Sequence, residues 1–260
     1  MIFVRMPSLF ARVVSLGLLG ALAVLAACGG DDDDSAAYGG GTLVCEAMNA
    51  EPHRYAATAV FDGVAPDVPI EGAPAAPPPF HFESNIDGEV EDADSISADV
   101  FNTDGGAAQG NVSGIINDGK RFLRNETSGW QNVDNADPGY SPVAYQPLKT
   151  CQALAVDFDP SGFEGQDEEV NGIASTRYEI SEFRSDFPDR MPDVGGGSEV
   201  SSLVNVFSGI VWVSDTGFIS KLDLTGVGGY PDGTTLSARF TYDLLDWGAD
   251  IDIQDPEIGT

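Results

Sequence analysis

From Leu236 to Leu244 every second side chain is apolar: Leu236, Ala238, Phe240, Tyr242 and Leu244 alternate with Ser237, Arg239, Thr241 and Asp243. A two-residue period puts the oily side chains on one face of an extended segment and leaves the other face wet. Antiparallel sheets tolerate one solvated face, whereas parallel sheets are buried on both and read as unbroken apolar runs. Related patterns run through Tyr55, Ala57, Ala59 and Phe61, through Phe80, Phe82 and Ile86, and through Ile96, Ala98 and Val100. They return in Thr176, Tyr178 and Ile180 and in Phe218, Leu222 and Leu224.

Turn signals separate these segments. Asn117-Asp118-Gly119 joins Asn111 to Ile116 with Lys120 to Arg124, and Asp-Gly supplies the positive φ values of a tight hairpin. Asn171-Gly172 hinges Gly165 to Val170 onto Ile173 to Phe183, and Asp215-Thr216-Gly217 follows Ile210 to Ser214. Val64 to Pro79 is rich in Pro and Ala and reads as a loop. Helices are expected at Thr42 to Asn49, at Val143 to Val156, and after Ser198, where Val200, Leu203, Val204 and Phe207 recur at i, i+3, i+4 and i+7. So few helices cannot alternate with the strands, which excludes a doubly wound architecture. The expected fold is α+β: a strongly curved antiparallel sheet, an unclosed barrel of about eight to ten strands, wrapping two or three helices on its apolar face.

The start of the chain carries a different message. Arg5 and Arg12 precede an apolar run that closes on Leu25-Ala26-Ala27-Cys28, which resembles the cleavage and lipid-attachment signal of bacterial lipoproteins. That resemblance implies a signal peptide over 1–27, acyl chains on Cys28 and a place on the outer side of a cell membrane. An ordinary secretory peptide with a chance cysteine is the plainer alternative. Gly29, Gly30 and Asp31 to Asp34 open a flexible acidic linker over 28–41, which cannot form a core. Residues 42–258 then read as one domain.

Twelve basic residues, two of them in the leader, face 42 acidic ones, so the mature part carries a net charge near −32. Such a surface repels nucleic acid and suits high salt or a cationic partner. Cys45 and Cys151 are left once Cys28 is set aside, and in an exported chain they read as a disulfide, with buried thiols as the alternative.

Catalytic signals are missing from the sequence. It holds two histidines, His53 and His81, and no Gly-x-Ser-x-Gly, His-Glu-x-x-His or phosphate loop, so neither an enzyme nor a cofactor is expected. Asp157, Asp159, Ser161 and Glu168 match the oxygen spacing of a calcium loop. Pro160 and Glu164 depart from that pattern, and coincidence in so acidic a chain is the simpler explanation. Trp212 is expected to fill the core, while Trp130 and Trp247, beside Gly129 and Gly248, fit either a cavity rim or the core.

Several motifs in order resemble the LppX/LprG-like family of actinobacterial lipoproteins that carry lipids across the cell envelope. More distantly they resemble the periplasmic lipoprotein carrier and its outer-membrane receptor. They are Asn117 to Phe122 with Gly129-Trp130, Glu168 to Ile173 with Tyr178, Val211-Trp212-Val213 through Gly217 to Leu222, and Asp246-Trp247-Gly248. The resemblance implies a bent sheet around an apolar cavity and a lipid or acylated partner. Its walls would draw on Phe82, Val100, Tyr178, Phe218, Leu222, Leu236, Phe240 and Tyr242, with Leu203 and Phe207 as a lid. The competing expectation is a structural or protein-binding lipoprotein whose sheet interior is solid.

Overall fold

Alternating segments become strands throughout the computed structural model, which describes residues 43–64, 79–134, 147–156, 158–183, 204–230 and 233–258. Cys28, Asp157 and Leu203 lie outside these residues. Six strands come first: β1 (His53–Val64), β2 (Phe80–Val90), β3 (Ile96–Asp104), β4 (Ala107–Asn117), β5 (Lys120–Asn125) and β6 (Ser128–Asn132). A short helix, α1 (Pro147–Ala155), precedes β7 (Gly165–Val170), β8 (Ile173–Ile180), β9 (Val204–Ser214), β10 (Ile219–Gly229) and β11 (Thr235–Leu245). All eleven strands join one sheet in the order β6-β5-β4-β3-β2-β1-β11-β10-β9-β8-β7. Each half is a meander of neighbouring hairpins, and the first and last strands pair in the middle, from Arg54 opposite Leu245 to Val64 opposite Thr235.

This corrects the α+β expectation. Among the described residues helix is limited to α1 and two 3-10 turns, Cys45–Asn49 and Pro160–Gly162, beside an eleven-stranded antiparallel sheet. Two or three wrapping helices are not there. The segment expected as helix beyond Ser198 is, from Val204 onward, strand β9. Its ladder explains the misleading spacing: Val206 pairs with Val227 and Val204 with Gly228, so residue 205 is extra. A bulge shifts the alternation by one residue. Val204 and Phe207, three apart, therefore share the buried face, imitating a helical repeat.

The tight turns follow the chemistry of their residues. Asp118 and Gly119 have φ of 50° and 77°, and Asn171 and Gly172 have 53° and 80°, the left-handed pair of a two-residue hairpin. The sheet is strongly bent. Asn171, in the turn before β8, donates to the Leu244 carbonyl at 2.8 Å although two strands separate β8 from β11. In a flat sheet three strand spacings would hold these elements ~14 Å apart.

The bend curls around one core. Tyr55, Phe61, Phe207, Leu222, Leu224, Phe240 and Tyr242 are buried there. The 3-10 turn and α1 cover the same face through Cys45, Met48, Cys151 and Leu154. Cys45 and Cys151 are joined, with Cα atoms 5.5 Å apart and a sequence separation of 106. Close packing also needs bare backbone. A Cβ on Gly226 would meet the Val204 side chain at 2.5 Å and the Phe207 ring at 2.7 Å, so glycine lets that ring cross β10 towards Phe240.

Candidate functional site

The residues expected to wall a lipid cavity come together, but they meet one another. Val100, Tyr178, Phe207, Phe218, Leu222, Leu236, Phe240 and Tyr242 all belong to the buried cluster, and Phe82 packs against it. Leu222 is 0% exposed, and Phe207, Phe240 and Tyr242 are 1% exposed. A side chain bordering a void that admits a water-sized sphere would show accessible area. These rings do not. Phe240 instead meets Phe61 edge-on at 5.4 Å and Phe207 at 5.6 Å, geometries that reward dense packing. Trp247 closes one end of the core, stacked on Phe218 at 4.4 Å and on His53 at 5.4 Å. His53 is 1% exposed; its Nδ1 bonds the Glu51 carbonyl and its buried Nε2 meets no partner among the described residues. Burial pushes the His53 pKa down, and the bond to Glu51 only partly opposes that.

The other face carries the polar groups, and strand register arranges them. Arg124, Ser113, Asp99, Asp87, Ala56, Asp243, Lys221, Trp212 and Arg177 are successive cross-strand partners from β5 to β8. At one end Trp212 lies between two cations, with Arg177 5.9 Å and Lys221 5.6 Å from the ring centre, and donates to Glu168 at 2.9 Å. Trp212 is thus buried, as expected, but under the charged neighbours of the outer face and not within the inner cluster. At the other end Arg124 lies 4.9 Å over Trp130 and donates to Ser113 at 2.9 Å; Ser113 in turn donates to Asp99 at 2.5 Å.

Between Trp130 and β1 the outer face sinks into a groove of about 470 Å³. Arg54, Asp87, Glu89, Asp99, Arg124 and Trp130 line it, over a floor that includes Gly88 and Gly114. Arg54 crosses the rim to Glu89 at 2.8 Å and Asp246 at 3.2 Å.

No protein-family model matches the chain, and no curated protein matches it. Similar solved structures include the following two. One belongs to the complex structure of Pseudomonas aeruginosa MucA/MucB, at 14% identity over 80% of this chain and 56% of that one, with a TM-score of 0.27. The other is a beta-barrel-like protein of domain of unknown function DUF1849 from Brucella abortus, at 12% identity over 75% of this chain and 99% of that one, with a TM-score of 0.26. The chain thus spans little more than half the length of the first.

Asp159, Ser161 and Glu168 of the calcium spacing do other work. Asp159 caps the 3-10 turn Pro160–Gly162 by accepting from the Ser161 amide at 3.0 Å. Bonds from the Ser161 hydroxyl and amide hold the Asp159 carboxyl below its ordinary range. Glu168 sits on β7 and receives the Trp212 indole. Among the described residues no three acids, histidines or cysteines gather as a metal site, and no helix is long and apolar enough to cross a membrane.

The groove was not foreseen, because its walls are spread over the successive strands β1 to β6 and meet only once the register of each pair is fixed. Part of it did have a signal. Glu91 to Ser95 is a short acidic turn, and folding the chain back about its centre sets Asp87 opposite Asp99, as the register does.

Proposed function

We propose that this chain is a non-catalytic, surface-tethered domain that binds a protein partner through the outer face of its sheet. Cys28 would be the lipid anchor and the acidic segment 28–41 the spacer. What carries this reading is the 0–1% exposure of Phe207, Leu222, Phe240 and Tyr242, at the centre of the face that a lipid carrier would keep open. An acyl chain gains ~0.8 kcal/mol per methylene only where there is room to enter. The conspicuous recess lies on the polar side instead, among Arg54, Arg124 and Trp130, residue types that favour protein recognition.

Native mass spectrometry of the full chain purified from its host tests this. The expected spectrum contains the protein with the acyl groups of Cys28 and no other lipid, and a fluorescent fatty acid added to it stays free. A stoichiometric non-covalent lipid, or saturable uptake of the fatty acid, would return the chain to the lipid-carrier reading.

A further inference from the structure

Asp87 and Asp99 stand directly opposite each other on β2 and β3, both exposed on the outer face and both lining the groove. Like charges at facing positions of an antiparallel pair destabilise it. Several outward-facing acids of the sheet stand beside a cation, Asp243 with Lys221, Asp223 with Arg239, Glu89 with Arg54, Glu179 with Arg177 and Asp62 with His81, and among the described strand registers no other two acids face each other. Among the described residues no Lys, Arg or His forms an ion pair with Asp87 or Asp99.

The two cations that line the groove are engaged with other groups. Arg124 spends an N–H on the Ser113 hydroxyl and sits over the Trp130 ring, and Arg54 is shared between Glu89 and Asp246. Asp99 has the hydroxyl of Ser113, which brings no compensating charge. On the other side of Asp87 the row continues with Ala56, too small to fill the trough. Two unneutralised carboxylates thus share a recess walled by an indole that already accepts a guanidinium.

We propose that this groove receives a lysine or arginine side chain from a basic segment of a protein partner, with Asp87 and Asp99 sharing its charge and Trp130 flanking its stem. The inference rests on the protein-binding reading above and names the chemistry of that partner. The cation removes the cross-strand repulsion, so binding and relief of repulsion add. The net charge of −30 draws basic segments towards the whole surface; the groove fixes where one residue docks.

The test uses the full chain and a fluorescein-labelled dodecapeptide with four arginines spaced by Gly and Ser, followed by anisotropy at low and physiological salt. The double variant Asp87→Asn with Asp99→Asn is compared with Glu164→Gln with Glu169→Gln, which removes the same charge from exposed acids outside the groove. The groove variant is expected to weaken binding at least about tenfold and the control less than about twofold. A raised melting temperature in the groove variant would show that it folds and that the repulsion is real. Equal weakening in both variants, or in neither, overturns the site. So does a calcium-dependent melting shift that the groove variant abolishes, since that would make the pair a metal site. A native partner that cross-links equally to wild type and groove variant sinks this inference and leaves the protein-binding reading standing. A chain that takes up lipid sinks the reading itself.

Discussion

Phe240 and Arg239 are neighbours in β11 and live in different solvents. The Phe240 ring is wedged between Phe61 and Phe207 with 1% of its surface exposed. Arg239 reaches across the outer face to Asp223, which it holds through two nitrogens at 3.0 and 2.8 Å in water. The two faces share strands, register and bend, so their difference isolates what burial adds. Inside, specificity comes from shape, and a missing atom leaves a hole. Outside, it comes from which charges face each other, and water and salt discount each pair.

The sharpest way to break this contrast is to empty the inner face. Phe240→Ala is expected to cost about 3–5 kcal/mol in urea unfolding, the range for losing a buried aromatic ring. A loss below about 1 kcal/mol would mean that the core is loose after all and would reopen the lipid reading. Next comes the staple that holds the 3-10 turn and α1 over that core. Replacing Cys45 and Cys151 together by Ser should cost about 2–5 kcal/mol; thermal melts with and without reductant measure it, and wild type should respond to reductant where the variant does not.

Acid distinguishes the two histidines in the same terms. The His53 pKa is lowered chiefly by burial, so folding favours its neutral form. That contribution is complete above the ordinary histidine value of about 6.5 and is lost as pH falls below it. His81, on the outer face, has its pKa raised chiefly by its bond to Asp62, so its contribution has the opposite sign and fades as pH rises. Melting temperature is therefore expected to decline on acidification below about pH 6.5, with a shallower slope in His53→Phe; an unchanged slope in that variant would show that other groups set the acid response. The smallest effect belongs to the outer ion pairs. Arg239→Gln should cost no more than about 1 kcal/mol, less in 0.5 M salt, as judged by paired denaturant curves.

Strands were readable wherever one face is oily and the other wet, as in β11, where buried and less buried residues alternate along its length. β6 escaped because Ser128–Asn132 is short and largely exposed, with no alternation to betray it. The start of β9 was misread because one extra residue converts a two-residue period into a three-residue one, whereas its end, Ile210 to Ser214, was legible as strand. The cysteine pair was legible from count and context alone. What the alternation could not say is how far the sheet bends, and so whether its oily face closes on itself or on empty space. Curvature sums small twists over eleven strands, and no single segment encodes it. The outer row was hidden for a related reason: Arg124, Asp99, Asp243 and Trp212 line up only after seven separate registers are fixed.

The seam between β1 and β11 makes the order of events lopsided. The earliest strand to leave the ribosome has one lateral neighbour at once, β2, but must wait for almost the whole chain before the other arrives. Until Thr235–Leu245 slots in, the molecule exists as two ribbons with four bare margins rather than one with two, a state prone to sticking. A cross-link at Cys45–Cys151 formed during that wait would close the chain around the first ribbon, from just before β1 to just after β6, and so bring the start of the second ribbon back towards the strand that its last member must meet.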